Sequence, residues 1–137
     1  MMKSKIIICI AIAASLAACK KYPDGPSVSI RTRTERVSHT TWKMEKVLEN
    51  GSDVTSFYTG INYLETYAKD GTFTYSSTGG SGTGKWAFEN KDTQIKRNGV
   101  NGQSSDDITI LELKQTALWY KFTDGNDTYE FHLVPNK

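Results

Sequence analysis

One stretch of this sequence alternates a carboxylate with two phenols: Tyr63, Glu65 and Tyr67. Residues two apart in a strand point to the same face, so if Tyr67 faces a core, Glu65 does too. A carboxylate held there would be uncharged or paired, and it would mark the functional end of the fold. The alternative is a strand bulge that turns Glu65 to water, and the sequence alone favours that alternative.

Other aromatic side chains on predicted strands extend this set. Each buried phenol needs a hydrogen-bond partner, so several tyrosines facing one interior could surround water or a polar ligand. We therefore predict that a bound molecule would contact these side chains: Tyr63, Glu65, Tyr67, Tyr75, Trp86, Tyr120 and Tyr129.

Signals for catalysis and for metal binding are weak. His39 and His132 are far apart, and no second His or Cys stands at metal-ligand spacing, so we expect no metal site. Asp106-Asp107 and the Asp124 to Asp127 stretch have turn chemistry and lack the spaced oxygens of a calcium loop. The Gly79 to Gly84 run is not followed by the Lys-Ser/Thr and helix of a phosphate loop, and reads as a flexible hairpin tip. We expect neither enzyme activity nor a cofactor.

The N-terminus predicts a secretory signal peptide over residues 1–18. Lys3 and Lys5 precede an apolar run from Ile6 to Leu16, which is too short to span a membrane. Small residues then lead to Cys19. The string Leu16-Ala17-Ala18-Cys19 resembles the bacterial lipobox, and the resemblance implies that Cys19 receives diacylglycerol before cleavage. An ordinary signal peptide with an incidental cysteine is the alternative.

The residues around the anchor give a location. Lys20, rather than Asp, follows Cys19, which resembles lipoproteins of the outer membrane. The stretch from Lys20 to Pro26 is not the acidic run that some envelopes use for surface export, so the periplasmic face is favoured over the cell surface. Cys9 leaves with the signal peptide, so no disulfide is expected.

The net charge of the whole chain is +2, with 17 basic and 15 acidic groups. Loss of Lys3 and Lys5 with the leader removes the excess, so no basic field for nucleic acid is expected. Five basic residues between Cys19 and His39 nevertheless face only Asp24 and Glu35. A solvated surface is favoured over electrostatic docking on anionic headgroups as the explanation.

The rest of the chain reads as short strands with hairpin-length links. Pro23 and Pro26 predict an extended linker, and Val28 to Val37 predicts an edge strand or an arm across the end of the fold. Asn50-Gly51 and Asp70-Gly71 are tight-turn signals. The predicted strands are Trp42–Glu49, Asn62–Ala68, Phe73–Tyr75, Trp86–Phe88, Thr93–Arg97, Ile108–Leu113, Leu118–Thr123 and Thr128–Val134. This spacing predicts an all-β, eight-stranded up-and-down antiparallel barrel.

The sequence also resembles the small lipocalin-like lipoproteins of bacterial envelopes. The resemblance rests on six features: the lipobox, Arg33 and Arg36 before Thr41-Trp42-Lys43, the Asn50-Gly51 turn, the Tyr67 to Phe73 run, Gly84-Lys85-Trp86 and the closing Tyr129-Glu130-Phe131. It implies a lipid-anchored linker and arm over residues 19–39 and a lipocalin-like barrel over residues 40–137. It implies no common activity.

The predicted interior is crowded. The inward candidates are nearly all large: Trp42, Met44, Leu48, Tyr63, Tyr67, Phe73, Tyr75, Trp86, Phe88, Ile95, Ile110, Leu118, Tyr120, Phe122, Tyr129, Phe131 and Leu133. We expect a largely filled barrel with any pocket at one open end. Two functions follow for a membrane-anchored monomer. One is non-catalytic binding of a small apolar or amphipathic molecule, and the other is an envelope protein–protein interaction module that presents Trp119.

Overall fold

The structure is a computed structural model that describes residues 21–26, 28–102 and 105–137. The predicted signal peptide and Cys19 lie outside the described residues. Within the described part of the chain, no helix is long and apolar enough to cross a membrane.

In the described part of the chain, nine strands form one antiparallel sheet that closes on itself. They are β1 (Thr41–Glu49), β2 (Ser52–Asp53), β3 (Leu64–Tyr67), β4 (Thr72–Ser77), β5 (Gly80–Glu89), β6 (Gln94–Asn98), β7 (Asp106–Leu113), β8 (Leu118–Asp124) and β9 (Asp127–Pro135). From β3 to β9 each strand pairs with the next, and β1 pairs with both β3 and β9. Short β2 adds a hairpin to β1. The predicted eight-stranded up-and-down antiparallel barrel is confirmed.

The tight turns lie where the sequence predicts them. Asn50 and Gly51, between β1 and β2, have φ of +50° and +83°, the left-handed pair that a two-residue hairpin turn requires. Gly71, between β3 and β4, has φ of +87°. The stretch after β2 contains a short 3₁₀ helix, Thr55–Phe57.

Strand β1 departs from simple alternation. Its register with β9 shifts between Met44 and Lys46, which is a β-bulge. Val47 is therefore fully buried, while Leu48 is only partly buried and lies opposite Glu130 of the outer face. The prediction that Leu48 faces the core was wrong because the bulge exchanges the two faces.

Helix α1 (Arg33–Ser38) closes one end of the barrel, here named the closed end. It begins with a capping box, in which Thr32 accepts from the Glu35 amide and the Glu35 carboxylate accepts from the Thr32 amide. Val37 is fully buried, and its carbonyl accepts from the Trp42 indole at 2.8 Å. The prediction of an edge strand over Val28 to Val37 was wrong there, since the capping box outweighs the alternating pattern.

The segment before α1 is packed against the barrel. Tyr22 is 1% exposed and belongs to the hydrophobic core. The Asp24 amide donates to the Leu111 carbonyl and the Leu113 amide donates to the Gly25 carbonyl, so this segment lies beside β7. The prediction of an extended linker that stays out of any sheet was wrong for residues 21–26, because Gly25 forms a bridge with Glu112 of β7.

The glycine-rich run is part of a strand. Gly80 to Gly84 pair with Ser77 to Phe73 of β4 and form the first half of β5. The prediction of a flexible hairpin tip was wrong, because glycine is needed in this strand for close contacts described below.

Large side chains fill the barrel interior, as predicted. The fully buried ones include Trp42, Tyr22, Tyr67, Tyr120, Phe73, Ile95, Ile108, Ile110, Leu113, Leu118, Leu133 and Glu65. On the outer face, the Trp119 ring stacks on His132 at 3.9 Å between centroids. Space for a bound molecule is therefore confined to the ends.

Candidate functional site

Glu65 lies in the interior with no exposed surface. Strand β3 pairs with β4 without interruption, so Glu65 stands opposite Tyr75 and, on the other side, opposite Trp42. There is no bulge in β3 to turn the carboxylate outward. The interpretation that placed Glu65 in water was therefore wrong, and strict alternation with Tyr67 holds.

Three phenols donate hydrogen bonds to this carboxylate. Tyr63 and Tyr120 donate to Oε1 at 2.7 and 2.6 Å, and Tyr67 donates to Oε2 at 2.8 Å. Tyr63 and Tyr67 flank Glu65 on β3, whereas Tyr120 reaches it from β8 across the barrel. Four of the seven predicted ligand-contacting side chains thus meet at one point.

Arg97 supplies the matching positive charge. Its Nη1 donates to Glu65 Oε1 at 3.0 Å, and its side chain is 9% exposed. Sequence reasoning missed this residue, although Ile95 and Arg97 are two apart on β6 and Ile95 was predicted to face inward. An arginine on the inner face of a strand was the signal that could have found it.

Asp106 holds the other side of the Arg97 guanidinium. Nε donates to Oδ1 at 3.0 Å, and Nη2 pairs with Oδ2, while the Asp106 side chain is 53% exposed. The guanidinium also lies over the rings of Phe73 and Tyr120, at 5.1 and 5.7 Å from their centroids. Arg97 therefore joins the buried carboxylate to the surface.

The environment keeps the phenols protonated. Burial, and then the adjacent Glu65 carboxylate, raises the pKa of the Tyr63, Tyr67 and Tyr120 hydroxyls well above the ordinary value of 10.0. A protonated phenol can only donate to Glu65, which fixes the direction of all three hydrogen bonds.

A cavity of about 410 Å³ lies above this cluster, at the barrel end opposite α1, here named the open end. Ligand sites typically occupy about 300–1,000 Å³. The cavity is lined by Tyr63, Phe73, Tyr75, Arg97, Val100, Asn101 and Asp106. Three of these seven described residues are aromatic, and the charged ones are Arg97 and Asp106.

Two glycines of β5 shape the wall. A Cβ on Gly82 would lie 2.4 Å from Tyr75 Cε1 and 2.6 Å from Asn101 Oδ1. A Cβ on Gly84 would lie 2.5 Å from the Asn98 carbonyl oxygen. Glycine thus lets Tyr75 and the 3₁₀ turn Val100–Gly102 approach β5, and Asn101 Nδ2 donates to the Tyr75 hydroxyl at 3.0 Å. Within this turn, Val100 is partly buried and packs against the core.

Of the three remaining side chains predicted to contact a ligand, one lines the cavity and two do not. Tyr75 lines the cavity and stacks on Tyr63 at 6.0 Å between ring centroids. Trp86 lies edge-on to Tyr67 and donates its indole N–H to the Ala68 carbonyl, away from the cavity lining. Tyr129 stacks on Phe122, and its hydroxyl lies 3.5 Å from Glu49. Neither Trp86 nor Tyr129 therefore hydrogen-bonds to Glu65.

The two histidines lie at different places. His39 packs edge-on against Trp42 at the closed end, and His132 pairs with Glu130 on the outer face. Within the described ranges, no group of three His, Cys, Asp or Glu side chains could hold a metal ion.

Comparison with known proteins adds no family. The sequence matches no protein-family model, and a search of curated proteins finds no significant relative.

Proposed function

We propose that this chain is a membrane-anchored lipoprotein whose barrel binds a small amphipathic molecule at its open end, without catalysis. The observation that supports it best is the aromatic cavity placed directly over a buried Glu65–Arg97 ion pair. Ligand pockets are mostly apolar with a few fixed polar groups that orient the ligand, and this cavity has that composition.

The polar groups favour an uncharged head on the ligand. Three nitrogens of Arg97 donate to Glu65 and Asp106, but a guanidinium has five N–H groups, so two have no partner among the described residues. The cluster places two acidic side chains, Glu65 and Asp106, around one cation, Arg97, and this excess of acidic groups disfavours an anionic head. A hydroxyl could accept from Arg97 and donate to Asp106, while its alkyl chain contacts Phe73 and Tyr75.

The anchor is proposed from the sequence. Acylation of Cys19 would hold the protein at the outer membrane, with the periplasmic face favoured, because about 0.8 kcal/mol is gained per buried methylene and several chains are attached. Replacing Cys19 with Ala should leave the barrel folded but release it from membranes, and continued membrane association would contradict the anchor.

The interaction-module alternative has less support. It was predicted to present Trp119 to a partner, yet that ring is stacked on His132. The large hydrophobic side chains that are exposed among the described residues are Val28, Ile30 and Phe57, and Trp119 is absent from this group.

Native mass spectrometry of the protein extracted from its own membrane tests the proposal. We expect a bound mass of lipid or metabolite size in addition to the acyl groups. A second polypeptide in its place would contradict ligand binding and support the interaction module.

Two variants locate the bound molecule. Tyr75→Ala removes an aromatic wall of the cavity, so the bound mass should be lost. Phe57→Ala is the matched control, because Phe57 is 81% exposed and does not line the cavity. Equal loss in both variants, or in neither, would place binding elsewhere and contradict the proposal.

A further inference from the structure

Two adjoining grooves cross the closed end of the barrel, with volumes of about 430 and 580 Å³. They share Pro26, Ser29, Ile30, Arg31 and Arg36. The first extends to Lys21 and Arg33, and the second to Val28 and Lys114. The described residues that line the grooves include no acidic side chain, and five of them are basic: Lys21, Arg31, Arg33, Arg36 and Lys114. The grooves are therefore suited to phosphate groups.

Among the basic side chains of the grooves, Arg36 is the buried one, and it has no countercharge among the described residues. Arg33 pairs with Asp92, and Lys114 pairs with Glu112. Arg36 makes no ion pair within the described residues, although it is only 6% exposed and lines both grooves. Its Nε is buried and has no hydrogen-bond partner there. A buried cation without a partner is costly, and an anion in the groove would offset that cost.

Apolar side chains stand beside these cations. Ile30 is fully exposed to solvent, and Val28 is 77% exposed. Both line the second groove. Aliphatic groups next to arginine and lysine are the combination that a phospholipid surface accommodates, since phosphates and acyl chains are offered side by side.

The predicted anchor emerges at this end. Lys21 lines the first groove, and Tyr22 is buried beside Arg33 and Arg36. Cys19 precedes Lys21 by two residues, so the two can be no more than about 7 Å apart along an extended chain. Acyl groups on Cys19 would thus enter the bilayer next to the grooves.

We propose that the closed end is a membrane-contacting surface, in which the grooves take phospholipid headgroup phosphates and Val28 and Ile30 enter the acyl boundary. This inference rests on the proposed acylation of Cys19. It orients the barrel, because the cavity at the open end then faces away from the anchoring membrane. From charge alone, the sequence favoured a solvated surface over docking on anionic headgroups for this basic segment, and the proposal takes the opposite view.

Single labels on the full acylated protein test the orientation. Cys19 is blocked by its lipid, so Ile30→Cys offers one free thiol for an environment-sensitive fluorophore, and Phe57→Cys, near β2, is the matched control. In vesicles of phosphatidylcholine with phosphatidylglycerol, spin-labelled lipid should quench the label at position 30 several-fold more than at position 57. Equal quenching would mean that the barrel reorients freely on its anchor, and would overturn the inference.

Charge is tested in the same background. Adding Arg31→Glu should reduce quenching at position 30 several-fold, whereas Lys121→Glu on β8 should leave it unchanged. Loss of quenching in both variants or in neither would contradict the role assigned to the grooves. Protection of position 30 from lipid and aqueous quenchers alike in native membranes would indicate a protein on this surface, and would also overturn the inference.

The intact mass of the same sample separates the two proposals. A protein without acyl groups contradicts the anchor itself. A protein that carries them, yet shows equal quenching at positions 30 and 57, contradicts only the membrane-contacting surface.

Discussion

The Arg97 guanidinium donates to Glu65 Oε1 at 3.0 Å across the barrel interior, from β6 to β3, with two strands between them in the sheet. Breaking a buried pair from one side leaves an uncompensated charge, which typically costs about 3–5 kcal/mol. We expect Arg97→Met to lower the free energy of unfolding by about that amount, as measured in urea.

A double variant is the control for this effect. Arg97→Met with Glu65→Gln removes both charges and keeps an amide oxygen that can accept from the Tyr63 and Tyr120 hydroxyls, so it should be more stable than Arg97→Met alone. If the double variant were the less stable of the two, Glu65 would not depend on Arg97 for its charge compensation.

Tyr120→Phe tests the phenol cluster. Its hydroxyl donates to Glu65 at 2.6 Å in a fully buried site, and a hydrogen bond to a charged group contributes about 1.5–3 kcal/mol. Thermal or urea unfolding should show a loss in that range. Tyr129→Phe is the matched control, since its hydroxyl lies 3.5 Å from Glu49 at a partly exposed site, and it should change stability by less than about 0.5 kcal/mol. Equal effects would argue against a special role for the cluster.

Alkaline pH should destabilise the barrel through its tyrosines. Burial raises the pKa of Tyr22 from 10.0 to about 12, and the pKa values of Tyr63, Tyr67 and Tyr120 are also raised. A raised folded-state pKa gives stability that is complete below the unfolded value of 10.0 and is lost as pH rises through the folded value.

Tyrosinate absorbance checks this prediction. Four of the seven tyrosines should remain protonated in the native protein above pH 10.0 and ionise together with loss of tertiary structure. Independent titration of all seven near pH 10.0 in protein that is still folded would contradict the cluster.

Gly82→Ala and Gly84→Ala test the wall of the cavity. The added Cβ would meet Tyr75 and Asn101 in one case and the Asn98 carbonyl oxygen in the other, so each should cost about 1–3 kcal/mol. Gly84→Ala should be the worse, because a backbone oxygen cannot rotate away. Gly60→Ala, where nothing lies within 4 Å of the added Cβ, is the control and should be near neutral.

Alternation and turn chemistry predicted most of this fold from the sequence. The same rules missed the shift from Leu48 to Val47, because a bulge in β1 is decided by pairing with β9, more than 80 positions along the chain. They also missed helix α1, although Thr32 and Glu35 form a capping box that is readable in the sequence.

The sequence predicted the part of the site that lies on β3 but not the arginine that pairs with it. Alternation around Tyr67 placed Tyr63 and Glu65 on the same face of the strand. Whether Glu65 is buried there or turned to water by a bulge depended on whether a cation was available to pair with it inside the barrel. Arg97 belongs to another hairpin, 32 positions along the chain from Glu65, and no local pattern joins the two. Trp86 and Tyr129 were included as large aromatics, but neither lines the cavity at the open end.

An NMR titration of the protein with octanol, followed on backbone amides, tests whether the cavity at the open end binds a neutral amphipathic molecule. Octanoate is the anionic comparison. We expect saturable shifts centred on Tyr75, Arg97 and Asn101, with octanol binding more tightly than octanoate. Shifts that do not saturate, or that centre on Trp119 of the outer face, would contradict it.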